Sequence, residues 1–171
     1  MLRDSGINVR HVTLGDREPW VQMRQALWPY ASAAEHDAQA VRFFTGSSRE
    51  PLAVLVAEGS QGRLVGFAEV SIRAYAEGCD TDSVGYLEGW YVDPGVRGRG
   101  VGRALVGVAE RWAQSRGCRE FASDAEADND ASALAHRALG FTDVGLVRCF
   151  RKSLSSEHEA AEQGVEADEA R

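Results

Sequence analysis

Residues 97–102 read Arg-Gly-Arg-Gly-Val-Gly. They follow an apolar run from Tyr86 to Val92 and open a helical pattern from Val101 to about Arg116. A strand, a short glycine-bearing turn and a helix start make a place for an anion. Backbone N–H groups point outward there, and the helix dipole favours negative charge. Gly98, Gly100 and Gly102 let the main chain approach a bulky phosphate without Cβ clashes. A dinucleotide fingerprint would need glycine at 103, where Arg103 stands, and a Walker loop would need a closing Gly-Lys-Ser/Thr, which is absent. What remains is Arg-x-x-Gly-x-Gly, met by Arg97, Gly100 and Gly102. The competing reading is a βα turn that holds no ligand.

The chain has 171 residues, which suits one domain with a real core. Its 44% hydrophobic and 26% charged content is that of a soluble globular protein. No apolar run approaches the ~20 residues of a membrane span, and Met1–Gly6 has no apolar segment of the secretory kind. Cys79, Cys118 and Cys149 are odd in number and form no C-x-x-C pair, which points away from disulfides and zinc and towards a reducing cytoplasm. His11, His36, His136 and His158 lack metal-ligand spacing. The net charge is −7, but residues 155–171 alone carry six acids against Arg171, a net −5. Only −2 is left for the rest, so the acidity belongs to the tail and says nothing of a substrate. The scattered Arg3, Arg10 and Arg17 make no nucleic-acid patch.

The elements that must position the glycine loop follow from periodicity. Ile7–Val12 alternates like a half-buried strand. Asp16, Glu18 and Pro19 start a helix with Trp20, Met23 and Leu27 on one face, ended before Pro29. Ser32 caps a second helix through Phe44. Leu52–Ala57, Leu64–Ile72 and 84–92 read as strands. Val101, Leu105, Val108 and Trp112 make the stripe of the next helix, which Gly117 ends. Glu120–Ser123 is a short strand, Asp130 caps a helix over Ala131–Leu139, and Phe141–Lys152 is mostly strand. The fold class expected is α/β: a mixed sheet covered by helices in a single domain, residues 1–154, followed by a disordered acidic tail, 155–171.

The Arg97–Gly102 pattern, after a strand ending Val92-Asp-Pro94, resembles the acyl-CoA pyrophosphate loop of the GNAT N-acetyltransferases. Four further stretches resemble one branch, the aminoglycoside 6′-N-acetyltransferases. They are Gln25–Pro29, Ser71–Arg73 with Gly78–Asp80, Leu87–Gly89, and Gly117–Asp124. Asn129 and Ala138–Phe141 follow at fitting distances, and the likeness runs from about residue 7 to 154. The resemblance implies acetyl-CoA as co-substrate. Main-chain groups of Trp90, Tyr91 and Val92 would pair with the pantetheine arm as with a sheet edge. Gly98, Arg99, Gly100, Val101, Gly102 and Arg103 would hold the pyrophosphate, with Arg97 adding charge, and Asn129 would bond the arm near the thioester. The side chains of Trp90 and Tyr91 are core candidates.

For the antibiotic the resemblance points to Trp28, Tyr75, Glu88 and Asp124. The chemistry agrees, because a cationic polyamine sugar calls for carboxylates and aromatic faces. Glu88 sits in an otherwise apolar strand, where a charge is costly unless paired or at a site edge. A salt bridge there, a turn-forming Asp124 and a core Trp28 are the structural alternatives. The implied reaction is direct transfer in a ternary complex, Glu88 accepting the amine proton directly or through water and Asp124 holding the amino group. The sequence departs from the family at Ala31 (often His), Gly145 (often acidic) and Phe150 (often Tyr). With Phe150 there, water protonates the leaving thiolate. A GNAT enzyme for another amine, or a non-catalytic acyl-CoA sensor, are the rival readings. A homodimer that shares or swaps its C-terminal strand is also expected.

Overall fold

Hydrophobic alternation near the N-terminus produces β1 (Asn8–His11), the first edge of a five-stranded sheet. This computed structural model describes residues 7–154; the acidic segment 155–171 lies outside the described residues. α1 (Arg17–Leu27) and α2 (Ala33–Phe44) follow. Asp16 makes no side-chain cap to α1; it closes a box with Thr13 and pairs with Arg10 instead. Ser32 caps α2 as expected, in a reciprocal box with Glu35.

The sheet continues through β2 (Ala53–Glu58), β3 (Leu64–Arg73) and β4 (Val84–Val92). α3 (Val101–Gln114) then leads to β5 (Glu120–Ser123), and α4 (Asp130–Ala138) closes the regular structure. Strand order is β1-β2-β3-β4-β5; the first four are antiparallel and β5 is parallel to β4. The cap of α4 is Asn129, whose side chain accepts from Ser132 N, and not Asp130 as expected. Phe141–Leu154 forms no strand. Beyond Phe141 its large apolar side chains find little cover: Leu146, Phe150 and Leu154 are exposed. A strand needs a neighbour's backbone to pair with, and this segment has none within the described chain.

Two cores form on opposite faces of the sheet. Val101, Leu105, Ala109 and Trp112 of α3 bury one face, with Leu139 and Phe141 beside them. Trp20 and Met23 of α1 and Ala40 of α2 bury the other face, over Val54, Val56 and Phe67. The second core carries a charge pair. Arg24 of α1 bonds Glu69 of β3, which also accepts from Trp20 Nε1 at 3.0 Å. Glu69 is only 3% exposed, and burial pushes its carboxyl up against the opposing pull of Arg24.

Removing one member leaves the other charged and dry. Arg24→Met is expected to cost about 3–5 kcal/mol of stability. The double variant R24M/E69Q recovers a large part of that loss. Urea denaturation of the two variants beside the parent chain checks this.

Candidate functional site

β4 has two partners over its first half and one over its second. Val84–Leu87 pair with β5 through Glu120–Ser123, and with β3 on the other side. Beyond Leu87 β3 is the one strand partner among the described residues, so the outer edge of Glu88–Val92 is open there. The register with β3 also slips there. Val70 faces Leu87 and Glu69 faces Gly89, so Glu88 is the extra residue of a bulge. The bulge reverses side-chain parity. Before it, Tyr86 lies on the face of Arg73. After it, Gly89 and Tyr91 turn to the α1 side, where Tyr91 stacks with Phe67. Trp90 turns to the α3 side, against His136 and Gly102. Both aromatic side chains are thus packing groups, and the main chain of Trp90, Tyr91 and Val92 offers the open edge.

That edge runs into the glycine loop. A short 3-10 turn, Pro94–Val96, leads to Arg97, whose Nε donates to the Val92 carbonyl at 3.0 Å. Gly98 and Gly100 have φ of 74° and 88°, and Gly100 is the N-cap of α3. The first backbone bond of that helix runs from Ala104 N to Gly100 O, which leaves the N–H groups of Val101, Gly102 and Arg103 without a backbone acceptor among the described residues. Arg97, Arg99 and Arg103 are exposed around it. The three glycines serve different ends than the sequence suggested. A Cβ on Gly98 or Gly100 meets nothing within 4 Å, so these two are required by backbone conformation, whereas one on Gly102 would meet Trp90 at 2.9 Å. Unpaired N–H groups at a helix start, ringed by arginines, fit a pyrophosphate. Arg103 also donates to the Ala138 carbonyl, tying the loop to α4.

At the bulge the predicted carboxylates stand in one network. Glu88 is held by Arg73, with Nε to Oε1 at 3.1 Å and Nη2 to Oε2 at 2.5 Å. The Arg73 guanidinium lies over the Tyr86 ring, 3.5 Å from its centre. The Tyr86 hydroxyl donates to Asp124 Oδ1 at 2.8 Å. Burial, and then this bond to Asp124, pushes the Tyr86 hydroxyl well above its ordinary range, so it stays a donor. Glu88 also lines a cleft of about 350 Å³, with Trp28, Arg24, Glu50 and Glu69 among its walls.

Trp28 is half-buried at the end of α1. Its ring sits where a Cβ on Gly89 would be, at 2.3 Å, with Arg24 4.8 Å from its centre. His36 Nε2 bonds the Trp28 carbonyl at 3.0 Å and fixes the residue from behind. Tyr75 is exposed, two residues beyond Arg73, and is not among the cleft walls. Asn129 spends its side-chain oxygen on the α4 cap, and its amide N–H₂ has no partner among the described residues. His136 joins α4 to β5 through Ser123 Oγ at 3.0 Å, and Ser123 in turn bonds the Leu87 carbonyl.

Arg73, Tyr86, Glu69 and Arg24 escaped the sequence reading as site residues. For Glu69 the signal was present: like Glu88, it is a lone acid in an apolar strand.

Residues 20–141 match the sequence model of the Acetyltransferase (GNAT) family. The chain belongs to this family. Among relatives, the aminoglycoside N(6′)-acetyltransferase type 1 of Klebsiella aerogenes is 51% identical over 151 residues, 88% of this chain and 99% of that one. The protein of the same name from Stenotrophomonas maltophilia is 40% identical, over 88% and 95% of the two chains. Among solved structures, aminoglycoside N-acetyltransferase AAC(6′)-Iy in complex with CoA superposes with a TM-score of 0.80 at 35% identity, covering 90% of this chain and 99% of that one. The same enzyme with the bisubstrate analogue CoA-S-monomethyl-acetylneamine gives 0.79 at 36% identity, over 86% and 99%. Among the described residues no helix of this GNAT chain is long and apolar enough to cross a membrane.

Gly100→Ala forces a left-handed φ on a residue with a side chain, at a cost of about 1–2 kcal/mol. Because the cost falls on the loop, affinity for CoA is expected to drop by roughly five- to thirty-fold, while the melting temperature falls only a few degrees. Calorimetric titration with CoA beside a thermal melt separates the two effects.

Proposed function

We propose that this chain transfers the acetyl group of acetyl-CoA to the 6′-amine of aminoglycosides, by direct attack in a ternary complex. The observation that carries the reading is the bulge at Glu88. It sets the open edge of β4, the approach for a thioester arm, beside a carboxylate wall suited to an amine. The relatives named for this activity match nearly their whole length. Acetyl-CoA supplies the thioester whose carbonyl the amine attacks, with the CoA thiolate leaving. The chain supplies grip and placement. The main chain of Trp90–Val92 pairs with the arm, Gly98–Arg103 with Arg97 take the pyrophosphate, and Asn129 bonds the arm near its end. Trp28, Glu88 and Asp124 position the sugar, with Tyr75 at its exposed side. Well-oriented reactants can account for about 7–11 kcal/mol of barrier, so placement outweighs the need for a strong base. Glu88 takes the amine proton directly or through water. Phe150, exposed and without a hydroxyl, leaves the thiolate to be protonated by water.

We further infer a homodimer. β5 is a sheet edge, and Val144, Leu146, Val147, Phe150 and Leu154 are exposed apolar groups on the segment that follows α4. A second copy of the chain would supply each with a backbone partner. The free thiols Cys79, Cys118 and Cys149 support a cytoplasmic location.

Three measurements test these readings. Thiol release from acetyl-CoA is expected with kanamycin or tobramycin, with mass spectrometry placing the acetyl on the 6′-nitrogen. Spermidine or a peptide as the better acceptor would favour another GNAT reaction, and no release with any amine would favour a sensor. Glu88→Gln and Asp124→Asn are expected to lower kcat/KM by roughly 10²–10³, in the range of losing a positioned proton acceptor or charge-assisted contact. Light scattering is expected to give twice the chain mass, and Phe150→Glu to shift it towards the monomer.

A further inference from the structure

Two carboxylates beside an amine create a difficulty. A nearby negative charge favours the ammonium form, and the ammonium has no lone pair with which to attack. A site built from Glu88 and Asp124 alone would bind the drug well and hold it in the wrong protonation state. The structure contains a group that opposes this. Arg73, from the end of β3, reaches across to Glu88 with both Nε and Nη2, and its guanidinium lies over the Tyr86 ring, whose hydroxyl is itself bonded to Asp124. One fixed cation therefore sits between the two predicted amine ligands.

We propose that Arg73 is a positioning residue that lowers the proton affinity of the amine bound at Glu88, so that the nucleophile reaches its free form near neutral pH. This rests on the amine-acetylating function proposed above. A carboxylate has about four lone-pair sites, and the Arg73 fork uses two, so room remains on Glu88 for the substrate nitrogen. Arginine keeps its charge throughout the working range and its planar fork matches a carboxylate, so the opposing field is constant and fixed in direction. The Tyr86 ring carries the guanidinium without neutralising it. The ammonium proton is lost to solvent or to Glu88 before attack.

The other charged groups around the site do not supply this field. Glu69 of β3 and Arg24 of α1 are committed to each other. Arg42 of α2 and Glu50, ahead of β2, are opposite charges in the cleft wall. His36, behind Trp28, is engaged by Arg24 and the Trp28 carbonyl, and His136 by Ser123 and Ser132. Tyr86 and Asp124 are bonded to each other.

The test is the pH dependence of kcat with kanamycin, since kcat reports groups in the complex. Parent chain, Arg73→Lys, Arg73→Gln and Arg73→Met are compared, with circular dichroism to confirm folding. In the neutral variants the acidic limb of kcat is expected to move up by about one pH unit or more, the size of effect a lost neighbouring charge produces. Much of the rate should return at high pH. Arg73→Lys, which keeps the charge and loses the fork, should hold the limb within a few tenths of a unit. Arg73→Met fills the shelf over Tyr86 if Arg73→Gln fails to fold. A lower kcat with the limb unmoved in a folded neutral variant would assign Arg73 a structural role and overturn the proposal. A parent chain that binds CoA but acetylates no aminoglycoside would instead refute the function itself, and this inference with it.

Discussion

The register slip at Glu88 is the constraint on which the site depends. Ahead of it β4 is an interior strand, hydrogen-bonded on both sides; behind it no strand among the described residues pairs with its outer side. A sheet does not leave such an edge at its centre without cost, because each exposed N–H or C=O must find water or a ligand. In this fold the open stretch leads directly, through Arg97 bonded to Val92, to the unpaired N–H groups at the start of α3. A long ligand with an amide-bearing arm and a phosphate end can satisfy both sets at once. Strand edge and helix start thus form one continuous binding surface, and neither would be placed for the other if β5 paired along the full length of β4.

The same slip solves a packing problem. Gly89 faces α1, and the Trp28 ring occupies the space a side chain would need. The ring is pinned by Phe67, by the stacked His36 and by Arg24, which the buried Glu69 holds in turn. A buried ion pair is a doubtful source of stability, since desolvation offsets much of its attraction. Here it sits beneath the aromatic wall of the cleft, where a fixed geometry has value apart from any contribution to folding. The wall and the carboxylate network at Arg73, Glu88, Tyr86 and Asp124 then meet across a single residue of β4.

Much of this was readable from the chain because local chemistry dictates it. The glycine loop, the Ser32 cap and the apolar stripes of α1 and α3 are each set by residues within a few positions of one another, and all appear where periodicity puts them. Glu88 was legible as a lone charge in an apolar strand. Its bond to Arg73 was not, because a strand pattern gives alternation and no register, and fifteen residues of chain separate the two. The same limit hid Tyr86, which reads as a core residue and is one, with only its hydroxyl reaching Asp124. The segment after α4 failed for another reason. Phe141–Lys152 has strand composition, yet composition names no partner, and the described chain provides none. Asn129 against Asp130 as the α4 cap is a one-residue ambiguity between two equally good capping side chains.

The distances along the chain explain why this site is so dependent on the sheet. Trp28, Arg73, Glu88 and Asp124 come from the end of α1, β3, β4 and the end of β5; Arg73 and Glu88 share the β3–β4 hairpin, and the other two lie far from them along the chain. No single turn holds all four together, so strand pairing sets Arg73, Glu88 and Asp124, and the packing of α1 on the sheet sets Trp28. In a period-two structure an error of one residue is not a small displacement, since it sends a side chain to the opposite face. A slip of β4 by one position would bury Glu88 against α3 and present Leu87 to the cleft. The alternation of the apolar core on both faces opposes that slip: Val84, Tyr86 and Leu87 are all buried, and each would have to exchange sides. The hydrophobic pattern of the sheet thereby fixes the position of its charges.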